Sequence, residues 1–314
     1  MLVIGAGPGV LHAQDPLYSQ FFANPLHLNP ALTGVEGAMK FHLGYRNQWP
    51  GETDTYVSYH ASLQKYMPGI KSGLGFLAMN DRQGGGVFNT TSAALVYAYH
   101  LKVTRQMIVT AGFQAGAGQL NLRIDKLVLP DQLAGNTGND LRAFSKLYPD
   151  FALGAAVFIG AFYGGIAVQH VLEPYSSPGR DPNTRVSRKY TLHAGALIPI
   201  YERRLGKEVL QLSPNLVFMQ QDVYQHMNYG VELRSNRLVG GVWLRQDLAF
   251  SYASLIFSVG YGNEQIRLRY SYDTKLSAPS VNIPTMGAHE LSMVIVVEKL
   301  YKSTKRRAIK CPKF

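Results

Sequence analysis

Nine histidines and twenty acidic residues could supply general acid–base catalysis or a metal site, but their spacing assembles neither. His289-Glu290 lacks the second histidine of a zinc-protease helix and stands at the start of a strand-like segment. No Gly-x-Ser-x-Gly elbow is present to raise a serine nucleophile. Gly5-Ala6-Gly7-Pro8-Gly9 superficially matches a phosphate-cradling loop, yet only four residues precede it, Pro8 interrupts it and no βαβ unit follows. Cys311 is the single cysteine, so neither an intramolecular disulfide nor a cysteine-based zinc cluster can form. The chain reads as a protein without catalytic, cofactor-binding or metal-binding residues, whose chemistry is recognition.

That recognition is basic. Lysine and arginine exceed aspartate and glutamate by 31 − 20 = 11, and seven of the positive charges fall between Lys299 and Lys313. Nucleic acid is the obvious partner for such a balance, but no helix-turn-helix, zinc-finger spacing or RNP-like aromatic motif accompanies it. The C-terminal residues Lys305, Arg306, Arg307, Lys310, Cys311, Pro312, Lys313 and Phe314 read instead as a docking peptide. Its charges would draw in an acidic surface, Pro312 would stiffen the end, and Phe314 would fill a pocket. Cys311 would be a small buried contact.

The elements that must position these residues are strands. Charged residues make up 16% of the chain, below the roughly 25% usual for soluble domains, while Tyr and Phe number 19 and 14. Mean hydropathy is nevertheless near zero, at −0.06. A transmembrane β-barrel reconciles these facts, because only alternate residues face lipid. Period-2 alternation recurs along the chain. Ile266, Leu268, Tyr270 and Tyr272 alternate with Gln265, Arg267, Arg269 and Ser271; Leu95, Tyr97, Tyr99 and Leu101 alternate with Val96, Ala98, His100 and Lys102. Val96 interrupts an otherwise small or polar face.

Extended over the whole chain, the pattern predicts an all-β, antiparallel barrel of about fourteen strands, among them 148–160, 188–201 and 248–262. Connections after odd-numbered strands are mostly long, such as Arg123 to Leu147 and Leu172 to Ser187, and those after even-numbered strands mostly short. An even count places both termini on the periplasmic side. Lys40, His42, Arg46, His100, Lys102, Arg267 and Arg269 are expected to line the lumen, as a hydrogen-bonded network or as a basic channel for an acidic substrate.

Residues 1–13 read as a probable signal peptide, apolar and ending in Ala13 but without a positive n-region. Residues 14–37 do not alternate; Pro16, Pro25 and Pro30 forbid a continuous helix or strand, and Asn24-Pro25 and Asn29-Pro30 initiate turns. Phe21, Phe22, Leu26 and Leu28 supply apolar anchors there, so this segment is expected to pack in or under the barrel. The barrel then occupies 38–299 and a basic periplasmic tail 300–314.

Three stretches carry a family resemblance: QDPLYSQFFANPLHLNPALTG (Gln14 to Gly34), SYDTKLS (Ser271 to Ser277) followed by GAHELSM (Gly287 to Met293), and the basic CPKF ending. In that order they resemble the PorP/SprF outer-membrane proteins of the Bacteroidetes type IX secretion system. The resemblance implies a barrel similar in size to the fatty-acid transporter barrels, without catalysis or cofactors, acting with type IX components in secretion and gliding motility. It further implies two partners. One is a periplasmic peptidoglycan-binding protein; the other is a secreted adhesin cargo carrying a type B C-terminal domain. Outer-membrane lipid would surround the wall. The alternatives are a barrel importing hydrophobic small molecules, which needs an apolar lumen, and an outer-membrane hydrolase, which needs clustered Ser and His near a rim.

Overall fold

In the computed structural model the described residues are 15–50, 56–123, 143–177, 185–202, 209–250, 253–276 and 287–297. Their strands are β1 Lys40–Gln48, β2 Tyr56–Met67, β3 Ser72–Gln83, β4 Phe88–Lys102, β5 Met107–Leu122, β6 Phe144–Ile159, β7 Phe162–Gln169, β8 Lys189–Ala196 and β9 Ile198–Glu202, followed by β10 Val209–Gln221, β11 Tyr224–Arg234, β12 Leu238–Gln246, β13 Ala253–Gly262, β14 Ile266–Lys275 and β15 Ala288–Val296. Each strand pairs antiparallel with its neighbour, and β1 pairs with β15 from Lys40↔Val296 to Gln48↔Ala288, which closes the sheet. β8 and β9 both pair with β10 and form one stave interrupted at Leu197, so the closed barrel has fourteen staves. No described helix is long and apolar enough to cross a membrane; the strands form the wall.

Alternation gives the wall two faces. In β4, Leu95, Tyr97 and Tyr99 point outward and are exposed, whereas Val96, Ala98 and His100 point inward and are buried. Outward exposure of large apolar side chains suits a wall surrounded by hydrocarbon. Most strand boundaries fall within two residues of the sequence expectation, but two starts differ by four or more. β6 begins at Phe144 rather than 148, because Phe144 to Leu147 continue the ladder opposite Leu122 to Gln119. β13 begins at Ala253 rather than 248, because the chain turns first: the Phe250 N–H bonds the Asp247 carbonyl, with Phe250 at φ 55° and its ring exposed.

The N-terminal segment runs through the interior. Asp15 lies at the rim of the long connections, where its N–H donates to Gln221 Oε1 (3.0 Å) at the end of β10. Gly34 lies at the opposite rim, its N–H donating to Gln64 Oε1 (2.8 Å), and β1 starts from there. Thus the start of β1 and the end of β15 share the short-turn rim, whereas Asp15 lies at the opposite one and residues 15–37 pass between the two rims through the barrel; the chain ends themselves lie outside the described residues. Three short helical turns, Phe21–Ala23, Pro25–Leu28 and Pro30–Leu32, carry it. Pro25 and Pro30 each open a turn, where a missing N–H costs nothing.

Candidate functional site

The inward face is not uniformly polar, and its apolar positions coincide with the plug. Phe21, Phe22, Leu28, Ala31, Leu32 and Val35 pack with Ala156, Phe158, Tyr163, Val217, Trp243 and Ile256 of the wall. The Phe21 and Trp243 rings meet edge to face at 4.9 Å. Leu26 forms a second cluster with Leu77 and Val96, which accounts for the valine interrupting the β4 pattern. Each such side chain withdrawn from water contributes roughly 1.5–3 kcal/mol.

Polar contacts fix the plug's height and rotation. Glu290 presents one carboxylate oxygen to each of two successive backbone amides, Ser19 N–H (2.6 Å) and Gln20 N–H (3.0 Å). The Gln20 side chain donates to the Glu290 carbonyl (2.9 Å) and to Ser271 Oγ (3.1 Å). Arg245, fully buried, donates to Asp273 (2.7 Å), to Asn228 Oδ1 (2.8 Å) and to the Tyr18 carbonyl (2.9 Å). Arg46 spans Asp273 (3.3 Å) and Glu290 (3.2 Å). Two arginines and two carboxylates thus enclose Tyr18 to Gln20, and the balance of charge is what makes their burial tolerable. A separate triad sits beside it on the wall, Glu232 between Arg234 (2.5 Å) and Arg269 (2.7 Å).

Further down, Asn29 is a hook. Its Oδ1 accepts from Ala31 N–H (2.9 Å), capping the last helical turn, and its Nδ2 donates to the carbonyls of Ala155 (3.2 Å) and Ile166 (3.0 Å) and faces His193 Nε2 (3.0 Å). Asn24, by contrast, is buried with no hydrogen-bond partner for its side-chain amide among the described residues. The wall is notched where the plug passes: a Cβ on Gly112 would lie 2.3 Å from Ala31 N, and one on Gly154 would lie 2.0 Å from Asn29 Oδ1.

Of the residues expected to line the lumen, Lys40, His42, Arg46 and His100 are buried. Each meets the plug: Lys40 pairs with Glu36, His42 faces the Ala23 carbonyl (3.1 Å), Arg46 reaches Ser19, and His100 faces the Thr33 carbonyl (2.9 Å). Arg267 and Arg269 are partly buried. Lys102 is the correction: it shares the inward parity of His100, but the stave ends there and the side chain is exposed at the rim. Lys305 to Phe314 lie outside the described residues. Arg245, Asn228, Asp273 and Glu290, which make or support the polar contacts to the plug, were not among the expected lumen residues, although alternation puts Glu290, like Glu232 of the neighbouring triad, on the polar face; the further signal for Asp273 and Glu290 is their place in SYDTKLS and GAHELSM, which meet Ser19 and Gln20 of the N-terminal stretch here. Among the described residues no cluster of His, Cys, Asp and Glu could hold a metal ion.

At the long-connection rim the plug is tethered by charge. Asp15 accepts from Lys189 (2.6 Å) and faces His170 Nε2 (3.0 Å), while His170 Nδ1 faces Asp150 (2.9 Å). Burial pulls the His170 imidazole down, but the two carboxylates outweigh it and raise it to about 10. Burial likewise pushes Asp15 up, and His170 and Lys189 outweigh that, holding it well below the usual carboxylate range. His27, 3.2 Å from Lys189, is a further ionisable neighbour. A raised histidine stabilises fully below about pH 6.5 and loses its contribution as pH rises through the folded value. A lowered aspartate stabilises above about pH 4 and loses its contribution as pH falls through its depressed value. A spin label at Leu17→Cys, with Cys311→Ser, is therefore expected to stay immobile across the neutral range and to loosen above pH about 10, the value reached by His170; His170→Phe should remove that upper transition, and a label equally mobile at neutral pH would count against the tether.

Comparison with known proteins decides the family. The model of the type IX secretion system membrane protein PorP/SprF family matches residues 10–295. The chain belongs to this family. No curated protein matches the sequence. Among solved structures it is similar to the Acinetobacter baumannii outer membrane protein Omp33, at 9% identity and a TM-score of 0.46 over 83% of this chain and 99% of that one. It is also similar to BamA from Haemophilus ducreyi lacking POTRA domains 1-3, at 10% identity and a TM-score of 0.42 over 83% of this chain and 70% of that one. The KdgM porin matches at 8% identity and a TM-score of 0.38 over 81% and 98%. Likenesses this distant add nothing to the closed strand ladder, on which the barrel itself rests. As a PorP/SprF member the chain is an outer-membrane β-barrel of the type IX secretion system, and its partners are type IX components.

Proposed function

We propose that this PorP/SprF barrel serves type IX secretion as a plugged platform, helping to secrete or anchor a cargo protein without conducting it and without catalysing a reaction. The observation that carries the reading is the lumen: residues 15–37 run through it from rim to rim, docked by apolar packing and by hydrogen bonds to buried, mutually paired charges of the wall. The apolar inward positions that an importer of hydrophobic small molecules would need are covered by Phe21, Phe22, Leu26 and Leu28, which favours a platform over a conduit.

In this reading the long-connection rim faces outward and the short-turn rim faces the periplasm, as in single-chain outer-membrane barrels. The cargo, an adhesin with a type B C-terminal domain, is held at the outer rim by the connections after β5 and β7, where a rigid wall can vary its specificity. Deleting residues 126–140 or 175–184 is expected to abolish cargo display while leaving a heat-modifiable barrel; unchanged display from both deletions would assign the cargo to another face.

The basic tail, 300–314, meets a periplasmic peptidoglycan-binding partner. Truncation at Thr304 removes Lys305, Arg306, Arg307, Lys310 and Lys313 with Phe314. It is expected to weaken co-purification of that partner about tenfold at moderate salt, since attraction between exposed charges is screened. Retention at the full level would reduce the tail to a solvated end.

A further inference from the structure

β9 has one free side. Ile198 to Glu202 pair with Leu212 to Val209 of β10, and among the described residues no strand lies against the other edge. The ladder on that side stops where Leu197 N–H bonds the Ala161 carbonyl (2.8 Å), at the turn joining β6 to β7. β9 and Val209 to Leu212 of β10 therefore form a two-stranded ribbon at the short-turn rim whose β9 edge is open, Val209 and Leu210 lying past the last β10–β11 pair, Gln211↔Arg234. Its Ile198, Ile200 and Tyr201 are exposed.

An open strand edge does not occur within the hydrocarbon of a bilayer, because its N–H and C=O groups would find no partner. The ribbon consequently stands in water or at the headgroup level, where aliphatic side chains and bare backbone groups together make a template for strand addition. The surroundings state the charge of what is added. The turn between β4 and β5 abuts the β6–β7 turn through Gly160 N–H to the Gln106 carbonyl (3.1 Å) and carries exposed Arg105, with Lys102 exposed at the end of β4. Across β10, the turn after β11 carries exposed Arg237. Among the described residues of this rim, Lys71 is a further exposed cation and Glu264 an exposed acid.

We infer that the free edge of β9 docks an extended, acidic segment of a periplasmic partner protein, which adds to the ribbon as a strand. The inference rests on the orientation proposed above and goes beyond the tail as a contact. Ile200 is the extra residue of a bulge, between Tyr201↔Leu210 and Pro199↔Gln211, so Ile200→Pro removes a backbone N–H from β9 at a position outside the β9–β10 pairs.

The test is photo-crosslinking in intact cells from p-benzoylphenylalanine at position 201, with mass spectrometry of the joined peptide. The expected adduct is one stretch of a periplasmic protein with net negative charge. Its yield should fall about fivefold or more with Ile200→Pro and with Arg105→Glu plus Arg237→Glu, all variants keeping the heat-modifiable migration of a folded barrel. Adducts to lipid alone, to a second copy of this chain, or to a partner insensitive to both changes overturn the inference. Orientation is read separately: Arg237→Cys in a Cys311→Ser background should react with an impermeant maleimide only after the outer membrane is permeabilised. Labelling of intact cells would overturn the orientation and the periplasmic partner together, whereas correct labelling without the acidic adduct overturns the β9 site alone.

Discussion

Replacing Glu290 by Ala is expected to release the upper half of the plug while the wall stays closed. The substitution removes the acceptors of two backbone amides and one partner of Arg46 in a single step. Breaking a buried pair by deleting one member typically costs about 3–5 kcal/mol, since the remaining charge stays buried. Amide exchange at Ser19 and Gln20 should therefore accelerate about 10²–10³-fold, with amides in the middle of β4 and β5 unchanged. Arg245→Met should act similarly through Tyr18 and Asp273, and Arg245→Met with Asp273→Leu should recover part of the loss, because no lone charge is then created. Unchanged exchange at Ser19 in Glu290→Ala would mean that packing alone seats the plug.

Gly112→Leu is expected to have the largest functional effect, by reopening the lumen. The new Cβ would lie 2.3 Å from Ala31 N and from the Pro30 carbonyl carbon, both main-chain atoms that no rotamer change can move. The turn Pro30–Leu32 must leave its notch, and the Asn29 hook leaves with it. In planar bilayers the parent protein should conduct little, and the variant should approach a deletion of residues 15–33, with conductance raised about tenfold as expected for a wide barrel freed of its filling. A parent as conductive as the deletion would refute the plugged state. Cargo display measured on the same variants separates platform from conduit: opening the lumen should not increase it.

Much of this architecture was legible in the chain. Period-2 alternation is a local property, so the antiparallel barrel, its stave number and the inequality of its two rims follow from residues a few positions apart. The stretches around Gln14, Ser271 and Gly287 carried the PorP/SprF resemblance in the same way, and Phe21, Phe22, Leu26 and Leu28 were identifiable as anchors because apolar side chains in a Pro-broken segment need cover. Where strands begin was less legible. Phe144 and Leu147 join β6 only because Leu122 and Gln119 stand opposite them, and a partner's register is not written in the strand's own residues.

The tertiary structure alone decided the route of residues 15–37 and the reason why the N-terminal stretch and those in β14 and β15 occur together. Ser19 and Glu290 are 271 positions apart, and Arg245 and the Tyr18 carbonyl 227, so no periodicity links them. A carboxylate on an inward face reads the same whether it faces water, a cation or a backbone amide. Closure of β1 on β15 brings Arg46 beside Glu290, and entry of the N-terminal segment then excludes water from both. Only at that point do Asp273, Glu290 and Arg245 change from lumen-facing charges into the seat of a plug, because their partners are set by three-dimensional proximity and their strength by burial.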